Sequence, residues 1–394
     1  MPHAAEPLTV RRLPEAQGKS SHLGAEARLP TGMQHIDLFA LSEDDKQALR
    51  EGLFENGVVV IRNQQGLDPN VMPQIGKFFD STAWDIHSGG VKMVTDAKNI
   101  LSVNRGARIP RAQQVSVIGK GRFRDHEGIE ELDLKHVSHT EFHETPLSAE
   151  EISQGFTRPY RWHMDAPLYE RLPGFVTTLH AIQVPKQPDQ KIKFSNGEIV
   201  DIPAGATAFY SGARAYELLS DDEKEFAQNT KVRYAPRAYE WMLDCKATDD
   251  ALTIAKVGKE KRLDALPEWS WDKVHMFPMV WKNAQTGNPH LQVLGACVYE
   301  LHTTDPATGQ VTIMNDLQKV RDTVHKLLKR VYAPENIYFH RWQEGDLVIF
   351  HNRGVLHSIT GELSASSKDD DSEKRLLWQC TMASGTAPVP YRHE

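Results

Sequence analysis

Three histidines stand two residues before a carboxylate: His35-Ile36-Asp37, His139-Thr140-Glu141 and His163-Met164-Asp165. Among 18 histidines roughly one or two such triplets arise by chance, so the spacing alone selects none of them. The first two sit among polar residues and are read as surface or turn pairs. The third follows an aromatic run, Tyr160-Arg161-Trp162, with the composition of a strand. In a strand, residues i and i+2 point to one face, so His163 and Asp165 can offer an imidazole nitrogen and a carboxylate oxygen to one metal ion. A second histidine from elsewhere would complete the two-histidine, one-carboxylate set that binds Fe(II) in oxygenases and leaves positions open for other ligands.

The C-terminal third supplies the partners. In HRWQEGDLVIFHNRGVLHSI, residues 340–359, a turn at Glu344-Gly345 leads into a strand ending at His351. A second turn, Asn352-Arg353-Gly354, leads to Val355-Leu356-His357. A histidine just past a tight turn, on an inward strand, suits a distal ligand; that is His357, with His351 as its rival six residues earlier. Arg375 opens the apolar strand RLLWQC, where a guanidinium could hold a dicarboxylate bidentately.

These residues need a scaffold of strands. The pattern predicts helices over 41–55 (Ser42 as N-cap, Asp45 closing a capping box), 69–79, 212–229 and 315–332. Strands are expected at 57–61, 113–119, 160–166, 175–184, 191–194, 199–202, 206–210, 276–282 and 290–300, then at 337–342, 346–351, 354–359 and 375–383. Residues 120–152, rich in His, Asp, Glu and Lys, read as a loop region, and SASSKDDDSEK at 364–374 as a solvated loop. Many short strands with helices before and among them make the fold class α+β. The expected layout is an N-terminal arm over 1–30, one domain over 31–385 and a tail over 386–394. Within the domain, core strands lie mainly in 157–212 and 276–383, with a helical insert over 213–275.

Composition limits the function classes. The 394 residues are 40% hydrophobic and 25% charged, with a net charge of −7. That acidic balance argues against a dedicated nucleic-acid binder, though it leaves room for a local basic pocket. Cys245, Cys297 and Cys380 are far apart and odd in number, which argues against a disulfide framework or cysteine–zinc site and suits a reducing, cytoplasmic setting. No segment has the length of a membrane span. The sequence leaves the oligomeric state open, and a homo-oligomer is compatible with it.

Taken in order, GVVVIRNQ at 57–64, His163-Met164-Asp165, AGATAFYSGARAYELLS at 204–220, WQEGDLVIFHNRGVLHS at 342–358 and the arginine of RLLWQC resemble the Fe(II)/2-oxoglutarate-dependent dioxygenases of the TauD/TfdA family. WHMDAPLY, TKVRYAP, YEWM and FPMVWKN resemble its fungal xanthine dioxygenases. The resemblance implies a double-stranded β-helix (jelly-roll) core with flanking helices. It implies Fe(II) held by His163, Asp165 and His357, and 2-oxoglutarate held by Arg375 and Thr207. It also implies O2 as co-reactant, with a small polar molecule oxidised while 2-oxoglutarate becomes succinate and CO2. Lys135, Gln113, Gln114 and Thr381 then fall where such enzymes grip substrate, and Trp162 and residues 166–169 are expected to form pocket wall. Two departures stand out: His351 occupies a position where the family often has aspartate, and Thr381 one where the xanthine enzymes place an amide. A hydroxyl cannot present both an amide donor and an acceptor to a purine edge. Xanthine is therefore weighed against an amino acid or a specialised-metabolite precursor. A non-catalytic cupin-like metal or ligand binder is the alternative of a different class, disfavoured by the joint presence of Thr207 and Arg375. A protein hydroxylase of the JmjC type is disfavoured by the lack of a matching cosubstrate lysine.

Overall fold

The first long helix runs Glu43–Asn56, and both its ends are encoded locally. The Ser42 hydroxyl accepts from the Asp45 backbone N–H, and the Asp45 carboxylate reaches back to Ser42, which satisfies donors the first turn would otherwise leave free. Gly57 ends the helix at φ +67°, with its N–H donated to the Leu53 carbonyl. A Cβ there would lie 2.7 Å from Leu23 Cδ2, so the turn needs glycine on both conformational and packing grounds. The chain then enters the buried strand Val58–Ile61 directly.

The protein is described from a computed structural model that covers residues 6–14, 22–86, 107–135, 142–360 and 371–391. Its main sheet has nine strands. Along one path they run Thr9–Arg12, Ala25–Arg28, Val58–Ile61, Leu347–His351, Leu172–Gln183, Arg375–Ser384, Ala112–His126 and Arg108–Ile109, and Ile129–Leu134 pairs with Ala112–His126. A second sheet of three strands sets Thr207–Ser211 between Ile337–His340 and Val355–Ile359. The two sheets share a core: Leu179, Val348, Phe350 and Leu377 from the first pack with Phe209 and Val355 from the second. On its other face the large sheet packs Val59, Ile61, Leu347 and Ile349 against Leu49 and Leu53 of the first helix and Ile75 of the helix Val71–Phe79. This helix–sheet–sheet layering follows from strands buried on both faces, which read as continuous apolar runs such as VVVI and LVIF.

Several elements differ from expectation. The region 120–152 is not all loop: one strand continues from Ala112 to His126, and Ile129–Leu134 returns beside it. Its outward residues are charged while Leu132 and Leu134 are buried, so high polarity masked a half-buried hairpin. The expected 212–229 helix is two helices, Gly212–Glu217 and Asp221–Gln228, because Ser220 caps the second with its own capping box. The arm contributes the strands Thr9–Arg12 and Ala25–Arg28, and the Leu8 N–H donates to buried Asp45 Oδ1 at 2.7 Å. The 290–300 stretch divides into Pro289–Leu291, a 3₁₀ turn Gly295–Cys297, and Val298–Thr304. Residues 160–166 are extended but not a ladder strand; they meet the small sheet through single bridges, Pro159 to Thr360 and His163 to His357. No described helix is long and apolar enough to cross a membrane.

Candidate metal centre and its surroundings

The bridge between His163 and His357 builds the site. The His163 N–H donates to the His357 carbonyl at 2.9 Å, and the His357 N–H returns to the His163 carbonyl at 2.8 Å. A reciprocal pair of this kind puts both side chains on one face, and the imidazole centroids lie 4.1 Å apart. Asp165, two residues on, comes back to the same face. Its Oδ1 is 3.9 Å from His163 Nε2 and 3.8 Å from His357 Nε2. One ligand atom from each of the three lies within 4.8 Å of the others, and no other cluster of this kind occurs among the described residues. His163 Nδ1 donates to the Arg161 carbonyl at 2.9 Å, which leaves Nε2 as the lone-pair nitrogen facing the cluster. Burial, reinforced by neighbouring His163, lowers the His357 pKa to about 3, so its ring is neutral and a competent ligand at physiological pH. Burial pushes the Asp165 carboxyl up, but His357, His163 and the Thr177 and Thr381 hydroxyls outweigh it and hold the group below its ordinary value. Two imidazoles and one carboxylate brought to one face fit a divalent iron.

The backbone of Asp165 is clamped by Asn352, a residue for which the sequence suggested no role. Asn352 Oδ1 accepts from the Asp165 N–H at 2.7 Å, and its Nδ2 donates to the Asp165 carbonyl at 2.8 Å and to the Gly174 carbonyl at 3.1 Å. Asparagine suits the position because one planar amide supplies the acceptor and the donors together. Next to it, Arg353 is spent on the Pro173 and Thr386 carbonyls, a structural role.

Strand parity separates the rival histidines. Phe350 faces the small sheet and packs on His357 at 4.8 Å between ring centroids. His351 must then point to the other face, where it meets Phe54 at 4.7 Å and His290 at 5.7 Å. It is away from the cluster, in a setting whose burial lowers its pKa well below the usual value.

Thr207 and Arg375 lie on facing sheets. Thr207 pairs with Ile359 and His340, and its hydroxyl accepts from the Trp342 indole N–H at 3.2 Å. Arg375 is buried, and among the described residues its side chain makes no hydrogen bond or ion pair; its Nε is sealed from solvent without a partner. Burial lowers its pKa to about 10, leaving the guanidinium charged at neutral pH. A Cβ at Gly205, two residues before Thr207, would stand 3.4 Å from Arg375 Cδ, so the arginine runs along the Thr207 strand where glycine leaves it space.

The candidates at the substrate fall in different places. Lys135 is exposed at the end of the strand Ile129–Leu134. Gln379 pairs with Ser116 and Cys380 with Val115, so Gln114 shares the metal-side face with Ser116 and Gln379, whereas Gln113 points the opposite way with Val115. Gln113 is exposed; Gln114 is half-buried, and its Oε1 is sealed without a partner among the described residues. The Thr381 hydroxyl donates to Asp165 Oδ2 at 3.0 Å, a role not expected of it. Trp162, expected as pocket wall, is instead core: it is buried, packs on Tyr210 and donates its indole N–H to the Asp250 carbonyl. Of the other triplets, Asp37 closes a local turn by accepting from the Phe39 N–H, and His139–Glu141 lies outside the described residues.

A family model for the taurine catabolism dioxygenase TauD, TfdA family matches residues 10–381, nearly the whole chain. The chain belongs to that family. The TauD/TfdA assignment makes it an Fe(II)/2-oxoglutarate-dependent dioxygenase, with O2 as co-reactant. An alpha-ketoglutarate-dependent xanthine dioxygenase of Emericella nidulans is 38% identical over 387 residues, covering 98% of this chain and 99% of that one. The Schizosaccharomyces pombe protein of the same description is 38% identical over 91% of this chain and 85% of its own. An alpha-ketoglutarate-dependent dioxygenase of Alternaria brassicicola is 30% identical over 89% of each chain. Among solved structures, a taurine dioxygenase from Burkholderia xenovorans superposes with a TM-score of 0.56 at 15% identity, over 98% of this chain and 93% of that one, and shares the fold.

Proposed function

We propose that this TauD/TfdA enzyme hydroxylates xanthine to urate on a double-stranded β-helix core, with 2-oxoglutarate and O2 consumed and succinate and CO2 released. The observation that carries the substrate is the 38% identity to xanthine dioxygenases along essentially the full length of both chains. His163, Asp165 and His357 hold Fe(II), which when bound supplies the redox chemistry that couples O2 and 2-oxoglutarate to C–H oxidation. Every other part is played by the protein. Arg375 receives the far carboxylate of 2-oxoglutarate as a bidentate partner; a buried guanidinium with no anionic partner among the described residues is a ready site for one. Thr207 adds a hydroxyl to the same carboxylate, sharing it with Trp342. Gln114, on the metal-side face with an unpartnered amide oxygen, is the strongest substrate contact of those expected from the sequence, ahead of Gln113 and Lys135. The second reading, the same chemistry on another small polar molecule, is favoured by Thr381. Its hydroxyl is committed to Asp165 and offers no amide to a purine.

The test has two parts. Anaerobic Fe(II) plus 2-oxoglutarate should give a weak visible charge-transfer band that His163→Ala abolishes; a band that persists in the variant would overturn the metal assignment. Xanthine should then drive stoichiometric formation of succinate and urate. Succinate formation with another small molecule but not with xanthine would transfer the assignment to the second reading.

A further inference from the structure

We infer that Gln379 and Thr381 are positioning residues that hold Asp165 as a one-oxygen metal ligand, an inference that rests on the iron assignment above. The two carboxylate oxygens have different surroundings. Oδ1 faces His163 Nε2 and His357 Nε2. Oδ2 accepts from Gln379 Nε2–H and from Thr381 Oγ1–H, each at 3.0 Å. Both donors are on the last core strand, two residues apart and therefore on one face.

A second hydroxyl backs the first. Thr177 lies directly opposite Thr381 in the register, fully buried, with its Oγ1 3.2 Å from Thr381 Oγ1. The two hydroxyls are within hydrogen-bond distance of each other, and either can be the donor of that contact. Thr177 thus backs the Thr381–Asp165 Oδ2 contact from the neighbouring strand. Asn352 fixes the Asp165 backbone from the other side by holding both its N–H and its carbonyl. The carboxylate therefore has its main chain clamped by one residue and its plane set by two others.

This arrangement has a chemical consequence. A carboxylate with one oxygen saturated by donors presents the other alone. Binding through both oxygens would take a coordination position that a chelating keto acid needs.

Co(II) titration of the full chain, read by visible absorption, tests the inference without turnover. Thr381→Val should weaken Co(II) binding by roughly 10-fold and change the visible spectrum, and Thr381→Ser should restore both. Gln379→Met should act in the same direction, and the double variant should lose roughly 100-fold. Wild-type affinity and spectrum in both single variants would overturn the inference. Should Thr381→Val fail to fold, Gln379→Met decides on the same criteria. The two assignments fail separately: if His163→Ala binds Co(II) like the wild type, the metal centre itself is wrong, whereas binding that needs His163 but ignores Gln379 and Thr381 removes only the positioning role.

Discussion

Arg375 carries a charge into a place where no side chain among the described residues answers it. A buried, unpaired guanidinium is costly, so its retention is explained by a ligand that completes it. Arg375→Met is expected to raise the KM for 2-oxoglutarate by about 100-fold, about 3 kcal/mol, with little change in the KM for the oxidised substrate. Arg375→Lys should recover only part of this, because an ammonium cannot form the paired bonds of a planar fork. An equal rise in both constants would argue for general damage to the site. The rival histidines make a second residue-scale contrast. His351→Ala should keep the anaerobic Fe(II)/2-oxoglutarate band while losing stability, because His351 packs on Phe54 and His290 away from the cluster. Loss of the band in that variant, with the fold intact by circular dichroism, would reopen the choice of ligand.

At the scale of elements, the metal side of the site depends on how short segments are tied to the sheets rather than on long ladders. Residues 160–166 are held by single bridges and by the Asn352 clamp. Asn352→Leu would leave the Asp165 N–H and carbonyl without partners in a buried place. It should cost about 2–4 kcal/mol in urea unfolding and weaken metal binding, with both effects seen in the same protein. The helix Glu43–Asn56 offers a control far from the chemistry. Gly57→Ala meets both an unfavourable φ and a 2.7 Å approach to Leu23, so it should lower stability by about 1–3 kcal/mol while leaving the anaerobic band unchanged.

At the scale of the whole molecule, histidines outside the cluster are buried in their neutral form. Burial lowers His180 and His290 to about 4, and His351 falls well below its ordinary value. In the unfolded chain each takes up a proton near pH 6.5, while the folded chain does not until far lower. Their contribution to stability is thus complete above about pH 6.5 and declines as pH falls toward the folded values, at up to about 1.4 kcal/mol per pH unit for each. The urea midpoint of the metal-free protein should therefore drop steeply between pH 7 and 5; a flat profile would mean these rings are already charged in the fold. Much of this molecule was legible in its sequence. His163, Asp165 and His357, which the fold brings together, were marked by residue type and spacing, Arg375 by its place at the head of an apolar strand, and Thr207 only by the family resemblance. The helix Glu43–Asn56 was marked by its caps, and the central strands by apolar runs. These are properties of neighbours in the chain. What the sequence hid was set by partners far apart in it. The strand expected at 113–119 was found, but its continuation to His126 and the return strand Ile129–Leu134 were masked because their polar face reads as loop. Asn352 and Gln379 gave no signal because their partner, Asp165, lies 187 and 214 residues away. The exclusion of His351 needed the strand's actual parity against Phe350 and His357. Residue type marked the candidate ligands; only the packing of one sheet on another decided that Asp165 Oδ1 lies by the histidines while Oδ2 meets Gln379 and Thr381.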